Sequence, residues 1–331
     1  MKPELFRKPA GIFLLFLLLL LTMMTAIRFG SAQLSWGDFF RALFCENGYR
    51  TQSVILWSVR FPRVLGGVLA GAGLSLSGVL LQCVMDNPLA APNIIGVNAG
   101  AGFAVVLTLM CGTVSWMILP FAAFGGAFAA TLLILAIAEH GSTSHAPVIL
   151  AGVAVTALLN AVISGITLID TDILTAYNAF SVGGFRGVKT EQLVIPAVII
   201  AVCAAVSLLQ YRKLDLLCLG ESGASVLGVN VKLVRLTAVL CASASAGAVV
   251  SFAGLLGFVG LIVPHMARKI TGHHTGYTIA AAVMLGGILT VAADLAGRIL
   301  AAPSEIPVGI MMAFLGAPFF LWLLLRRKQE L

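Results

Sequence analysis

Asp294 and Arg298 stand four residues apart inside an apolar run, so on a helix they share a face and can pair. Arg60, Arg63 and Arg298 fall at the ends of apolar runs. A guanidinium in such a place either grips a carboxylate on another protein through two parallel hydrogen bonds or snorkels to lipid headgroups. Residues 183–190, GGFRGVKT, approach a phosphate-binding loop, but Val188 separates Gly187 from Lys189. That pattern needs glycine directly before lysine, so that backbone amides and ammonium converge on phosphate. No zinc-protease pair, nucleophile elbow or chain of buried carboxylates occurs. These residue types can recognise and pair but cannot hydrolyse; if ATP drives this protein, another chain spends it.

The elements that must hold these residues are apolar. Of 331 residues, 60% are hydrophobic and only 10% charged, against about a quarter charged in a soluble domain. So few charges cannot cover a water-facing surface, so lipid must cover most of it. The net charge of +7 comes from single or paired basic residues at the ends of apolar runs, which excludes a nucleic-acid binder. The six cysteines form no CxxC pair. They read as small hydrophobes rather than a disulfide framework or metal site.

The stretch from Arg60 to Gly102 organises the chain. It opens with two arginines around Pro62, crosses on Gly, Ser and Ala, breaks at Asp86-Asn87-Pro88 and resumes at Ile94. About ten spans follow from apolar runs of this kind. They are expected at Ala10–Ile27, Val64–Met85, Ile94–Met110, Ile118–Ala138, Pro147–Ile169, Leu193–Leu209, Leu236–Phe252, Leu255–Ala267, Tyr277–Leu295 and Val308–Leu325. The first run is long enough to span, although Gly30-Ser31-Ala32 would also suit signal-peptide cleavage. Gly67-x-x-x-Gly71 and Gly96-x-x-x-Gly100 offer faces for close helix approach. Residues 31–59 predict a short interfacial helix or an anchored loop, and residues 170–190 a second amphipathic piece. An even number of spans puts both termini on one side. Roughly 12 of the Lys and Arg fall there and roughly 8 opposite, which makes it the cytoplasmic side. The run Ser75-x-Ser-Gly-Val-Leu before Pro88 echoes Ser251-x-Ala-Gly-Leu-Leu before Pro264, which suggests two helices with one packing solution.

Residues 210–235 are the longest polar interruption on that side, with a coupling loop expected within 212–235. Within them LGESGASVLGV, 219–229, predicts a short helix closing at Gly228, with Ala224, Ser225 and Leu227 exposed. Such a helix can lie in a partner's groove and pass on a rigid-body push; it also reads as a plain connection.

Taken together these residues resemble the FecCD-type permeases, membrane subunits of ABC importers for iron chelates, haem and cobalamin. The resemblance rests on Arg60-x-Pro62-Arg63, GAGLSLSGVLLQ at 71–82, Asn87-Pro-Leu-Ala90, Gly96-x-x-x-Gly100-Ala101 and GGF at 183–185. It continues through 219–229, GFVGLIVPHMAR at 257–268, ADLAGR at 293–298 and 305–324, in one order over nearly the whole chain. Ala91 departs from it, since the family often has an acid before that proline.

The resemblance implies an all-α membrane protein of about ten transmembrane helices, with residues 1–331 as a single permease domain. It implies a multi-pass chain in the cell membrane with both termini cytoplasmic, paired with a second permease subunit as a homodimer or similar heterodimer. Two cytosolic ATPase subunits would carry the ATP and Mg, with no cofactor or metal on this chain, and an extracytoplasmic binding protein would deliver the cargo. Leu219, Gly220, Glu221, Ser222, Ala224, Ser225, Leu227 and Gly228 then become the ATPase-coupling helix, and Arg60, Arg63 and Arg298 the docking residues. Asn87, Leu89, Ser142 and Thr143 match the cytoplasmic gate. Asn160, Ser164 and Thr167 would line the path, on the fifth span. The expected cargo is a ferric siderophore, with haem or vitamin B12 as the alternative. An ion-coupled secondary carrier is the rival of a different class.

Overall fold

A backbone in hydrocarbon has only its own segment to hydrogen-bond with, and the described residues are helical with no strand among them. The computed structural model describes residues 9–30, 35–44, 50–112, 118–139, 146–218, 220–272 and 274–327. In order the helices are α1 (Pro9–Arg28), α2 (Trp36–Leu43), α3 (Arg50–Val54), α4 (Phe61–Val84), α5 (Val97–Met110), α6 (Ile118–Glu139), α7 (Ala146–Ile169) and α8 (Thr171–Val182). They continue with α9 (Thr190–Leu209), α10 (Tyr211–Leu217), α11 (Glu221–Val226), α12 (Val231–Ala253), α13 (Val259–Thr271), α14 (Thr275–Leu300) and α15 (Val308–Arg327). A π-helical stretch, Ile55–Arg60, leads into α4, and a 3₁₀ turn, Pro92–Ile95, leads into α5.

Among the described residues, seven helices are long and apolar enough to cross a membrane, with two shorter apolar ones at Val97–Met110 and Val308–Trp322. The 13-residue α13 occupies the eighth expected position. Two of the ends that differ from expectation do so at a satisfied polar residue. The ninth span runs on past Asp294 and Arg298 to Leu300, because both are buried and paired. The seventh starts at Val231, where the Asn230 side chain accepts the Leu233 N–H at 3.1 Å. Helices form in both segments, α2 in the first and α8 in the second, the latter capped by Asp170.

The core is built on α4. Twenty of its 24 residues are buried, against α9, α12, α13 and α14. Small residues make this possible. A Cβ on Gly71 would run into the Gly286 backbone of α14, and one on Gly78 into the Gly260 carbonyl of α13. With the backbones so close, Thr290 Oγ1 donates to the Gly67 carbonyl at 2.6 Å. Gly100 and Gly126 press together in the same way between α5 and α6. The other glycine of that expected pair, Gly96, instead takes a left-handed turn (φ 74°) between the 3₁₀ turn and α5.

The echo does not mark a shared packing solution. Residues 75–80 sit in mid-helix, whereas α12 ends at Ala253 and Gly254 turns the chain at φ 70°. α7 contrasts with α4: Leu150, Val153, Leu158 and Leu168 along it are exposed.

Gly71→Val should therefore cost at least the 1–3 kcal/mol of an overpacked core. Gly165→Ala, with nothing within 4 Å of the added carbon, should stay within about 0.5 kcal/mol. Thermal unfolding of the two variants in detergent would separate them; equal midpoints would contradict this packing.

Candidate functional site: a buried arginine cluster and an exposed short helix

At one end of the bundle α1 stops, and its last carbonyls need partners. Arg60 Nη1 donates to the carbonyls of Ile27 (3.0 Å) and Arg28 (2.7 Å). Arg298 Nη1 donates to those of Ala26 (3.1 Å) and Phe29 (3.2 Å). Two cations thus cap a helix C-terminus, where the helix dipole favours positive charge.

Asp294 joins the two helices that supply those arginines. Arg63, one turn along from Arg60, donates to it through both Nε (3.0 and 3.1 Å) and Nη2 (2.9 Å). Arg298 Nε lies 3.1 Å from its other side. The second arm of Arg63 reaches Glu305 at 2.7 Å, on the segment between α14 and α15. Arg60, Arg63, Asp294 and Arg298 are 4%, 6%, 3% and 2% exposed. The bidentate pairing expected with another protein is therefore made within the chain. Of the three arginines, Arg63 lines a cavity.

Two cavities open beside this cluster, one of about 820 Å³ and one of about 540 Å³. Both are lined by Arg63, Arg186 and Glu305; the larger adds Lys189, Ser58 and Ser304. The loop that failed as a phosphate binder supplies this wall. Its turns at Gly183 (φ 67°) and Gly187 (φ 77°) let 183–189 bend between α8 and α9, and Arg186 and Lys189 are exposed. Sequence reasoning weighed Lys189 only as part of a phosphate loop and did not single out Glu305 or Arg186. The available signal was Glu305 as the one acid between Asp294 and the basic tail at Arg326.

At the opposite end α4 stops in an Asx turn, with Asn87 Oδ1 accepting the Leu89 N–H at 2.9 Å. Leu89 is half-buried. Ser142 and Thr143, expected beside them, lie outside the described residues, as does Leu219. Gly220 (φ 109°) opens α11, and Glu221 pairs with Arg235 of α12. The helix closes as expected at Gly228 (φ 79°), with the Val229 N–H on the Ala224 carbonyl at 3.0 Å.

One expectation is corrected here. Ala224 is 1% exposed, because it is the residue that seats α11 on the bundle. The exposed residues are Ser222, Gly223, Ser225, Val226, Leu227 and Gly228, with Val226 at 87% and Leu227 at 63%. On α7, Asn160 and Ser164 are exposed. Thr167 is buried, and its hydroxyl donates back to the Ile163 carbonyl at 2.9 Å.

With this geometry in place, likeness to known proteins is informative. Residues 17–326 match the sequence profile of the FecCD transport family. The hemin transport system permease protein HmuU of Yersinia pestis is 33% identical, over 96% of each chain. The Fe(3+)-citrate import system permease protein YfmE of Bacillus subtilis is 35% identical over 82% of this chain and 81% of its own. A solved structure described as an inward-facing metal-chelate type ABC transporter superposes with a TM-score of 0.85 at 30% identity, covering 96% of this chain and 100% of that one.

Asp294→Asn would leave Arg63 and Arg298 buried without their shared counter-charge. The expected loss is about 3–5 kcal/mol. Glu305→Gln, at a carboxylate 20% exposed, should cost about 1 kcal/mol or less. Unfolding midpoints that rank the two the other way round would overturn the hub role given to Asp294.

Proposed function

As the chain belongs to the FecCD transport family, and so is a multi-pass permease of an ABC importer for iron chelates, haem or cobalamin, we propose that its cargo is a ferric siderophore. The observation that carries this reading is the placement of two different polar constructions at opposite ends of one apolar bundle. At one end lie the arginine cluster and its cavities, and at the other a short tethered helix with bare apolar side chains.

The arginine end faces outward in this proposal and both termini face the cytoplasm. A binding protein docks there, with Arg63 and Glu305 in the cavity wall and Arg186 and Lys189 at its rim. Arg60 and Arg298 act by holding the end of α1 in place. A cavity of about 820 Å³ is within the range that holds a compact polar ligand, and its basic wall suits an anionic chelate.

At the cytoplasmic end α11 meets an ATPase subunit, which carries ATP and Mg. Val226 and Leu227 enter its groove, and the Glu221–Arg235 pair passes the push to α12. Asn87 and Leu89, with Ser142 and Thr143, close the path. A second permease subunit covers the exposed side of α7, where Asn160 and Ser164 face the path between subunits. The ion-coupled carrier is less well supported. It needs a carboxylate free to take and release a proton, and Asp294 is held between two arginines.

Uptake of iron-labelled siderophore, hemin and cobalamin by cells expressing the chain with its ATPase and binding protein would identify the cargo. Uptake of hemin or cobalamin but not of the siderophore would replace the proposed cargo. Leu227→Asp should weaken ATPase association about 10- to 100-fold, as expected for losing one buried leucine at about 1.5–3 kcal/mol. Unchanged association and uptake would remove α11 from the contact.

A further inference from the structure

Two thiols meet at the base of the α10–α11 segment. Cys83 is in the last turn of α4 and is buried; Cys218 follows α10 and is exposed. Both reach for one atom: Cys83 Sγ donates to the Leu214 carbonyl at 3.4 Å, and the Cys218 N–H donates to the same oxygen at 3.0 Å. The side chains lie within hydrogen-bonding reach of each other. Cys218 also lines a cavity of about 260 Å³, together with Arg268, Asp215 and Thr275. A small polar reagent can therefore approach it from the polar end of the bundle.

We propose that Cys83 and Cys218 form a peroxide-sensitive dithiol, a modification site that closes to a disulfide between α4 and the α10–α11 segment. The contact with Cys83 and the nearby Arg268 guanidinium hold the Cys218 thiol below its ordinary range, which favours the reactive thiolate. The oxidant is hydrogen peroxide. The Cys218 thiolate attacks one peroxide oxygen, the O–O bond breaks, and the departing hydroxide takes a proton to become water. This leaves a sulfenic acid on Cys218. The Cys83 sulfur then attacks the Cys218 sulfur, the S–O bond breaks, and a second water leaves with the Cys83 proton. Two thiols lose two electrons in total, and one peroxide becomes two waters.

The bond would join the most deeply buried of the spanning helices to the segment bearing Val226 and Leu227. Import would then slow under oxidation; this consequence rests on the function proposed for α11, whereas the chemistry does not. A second thiol pair, Cys203 of α9 with Cys241 of α12, lies within a spanning layer and serves as the internal control.

The test treats the full chain, in membranes with its ATPase, with hydrogen peroxide. Peptides are then mapped without reduction, and cargo uptake is measured in parallel. A Cys83–Cys218 linked peptide is expected, lost with dithiothreitol, together with a several-fold fall in uptake that dithiothreitol restores. Cys218→Ser and Cys83→Ser should each keep basal uptake and abolish the response, while Cys203→Ser should retain it. Absence of the linked peptide, or the same response in Cys218→Ser, would overturn the proposal. A linked peptide with unchanged uptake would sustain the dithiol and refute the coupling of α11 to transport. A chain that moves no cargo even when reduced would count against the proposed function and leave the peptide result to stand by itself.

Discussion

The constraint on which the structure turns is the burial of Arg63 and Asp294 at 6% and 3% exposure. Charges withdrawn from water are tolerable only when each is fully matched. Two long helices, α4 and α14, are therefore held at one relative height as well as one spacing. Sliding either by a turn would part Arg63 from Asp294 and Arg298 from the carbonyls of α1. The small-residue contacts of Gly71 with Gly286 and of Gly67 with Thr290 need that same register. Electrostatics at one end and close packing at mid-helix thus select a single arrangement.

That arrangement divides the molecule by burial. α4 and the helices around it form a body with few ways to move, since glycine contacts leave no slack for a sliding backbone. Other segments have little buried surface. α7 keeps exposed leucines along its length, and α11 is seated mainly by Ala224 and the Glu221–Arg235 pair. A permease needs both kinds of element.

The broad plan was legible from residues that behave alike in any surroundings. Apolar runs had to become helices, and GxxxG spacing had to mark close approach; Gly71 and Gly100 do so. The closure of α11 at Gly228 was equally readable, since only a residue at ease with positive φ ends a helix that way. The Asp294–Arg298 pair was legible because i,i+4 neighbours meet on every helix. The surroundings of a side chain were not legible, because they depend on what lies opposite. Ala224 looked like a contact residue and is a seat. Arg63 looked outward-reaching and is gripped from within. Thr167 looked available, and its own backbone takes its hydroxyl.

The amino-acid sequence by itself determined the solvent, the helical class and the family, because composition, period and motif order are properties of the chain alone. Only the tertiary structure decided which polar residues face a cavity and which are consumed in holding helices together. Arg186 and Arg63 are alike in sequence type, yet one is exposed and the other buried. The difference lies in whether a carboxylate 231 residues further on arrives within hydrogen-bond reach, and local sequence carries no record of that distance.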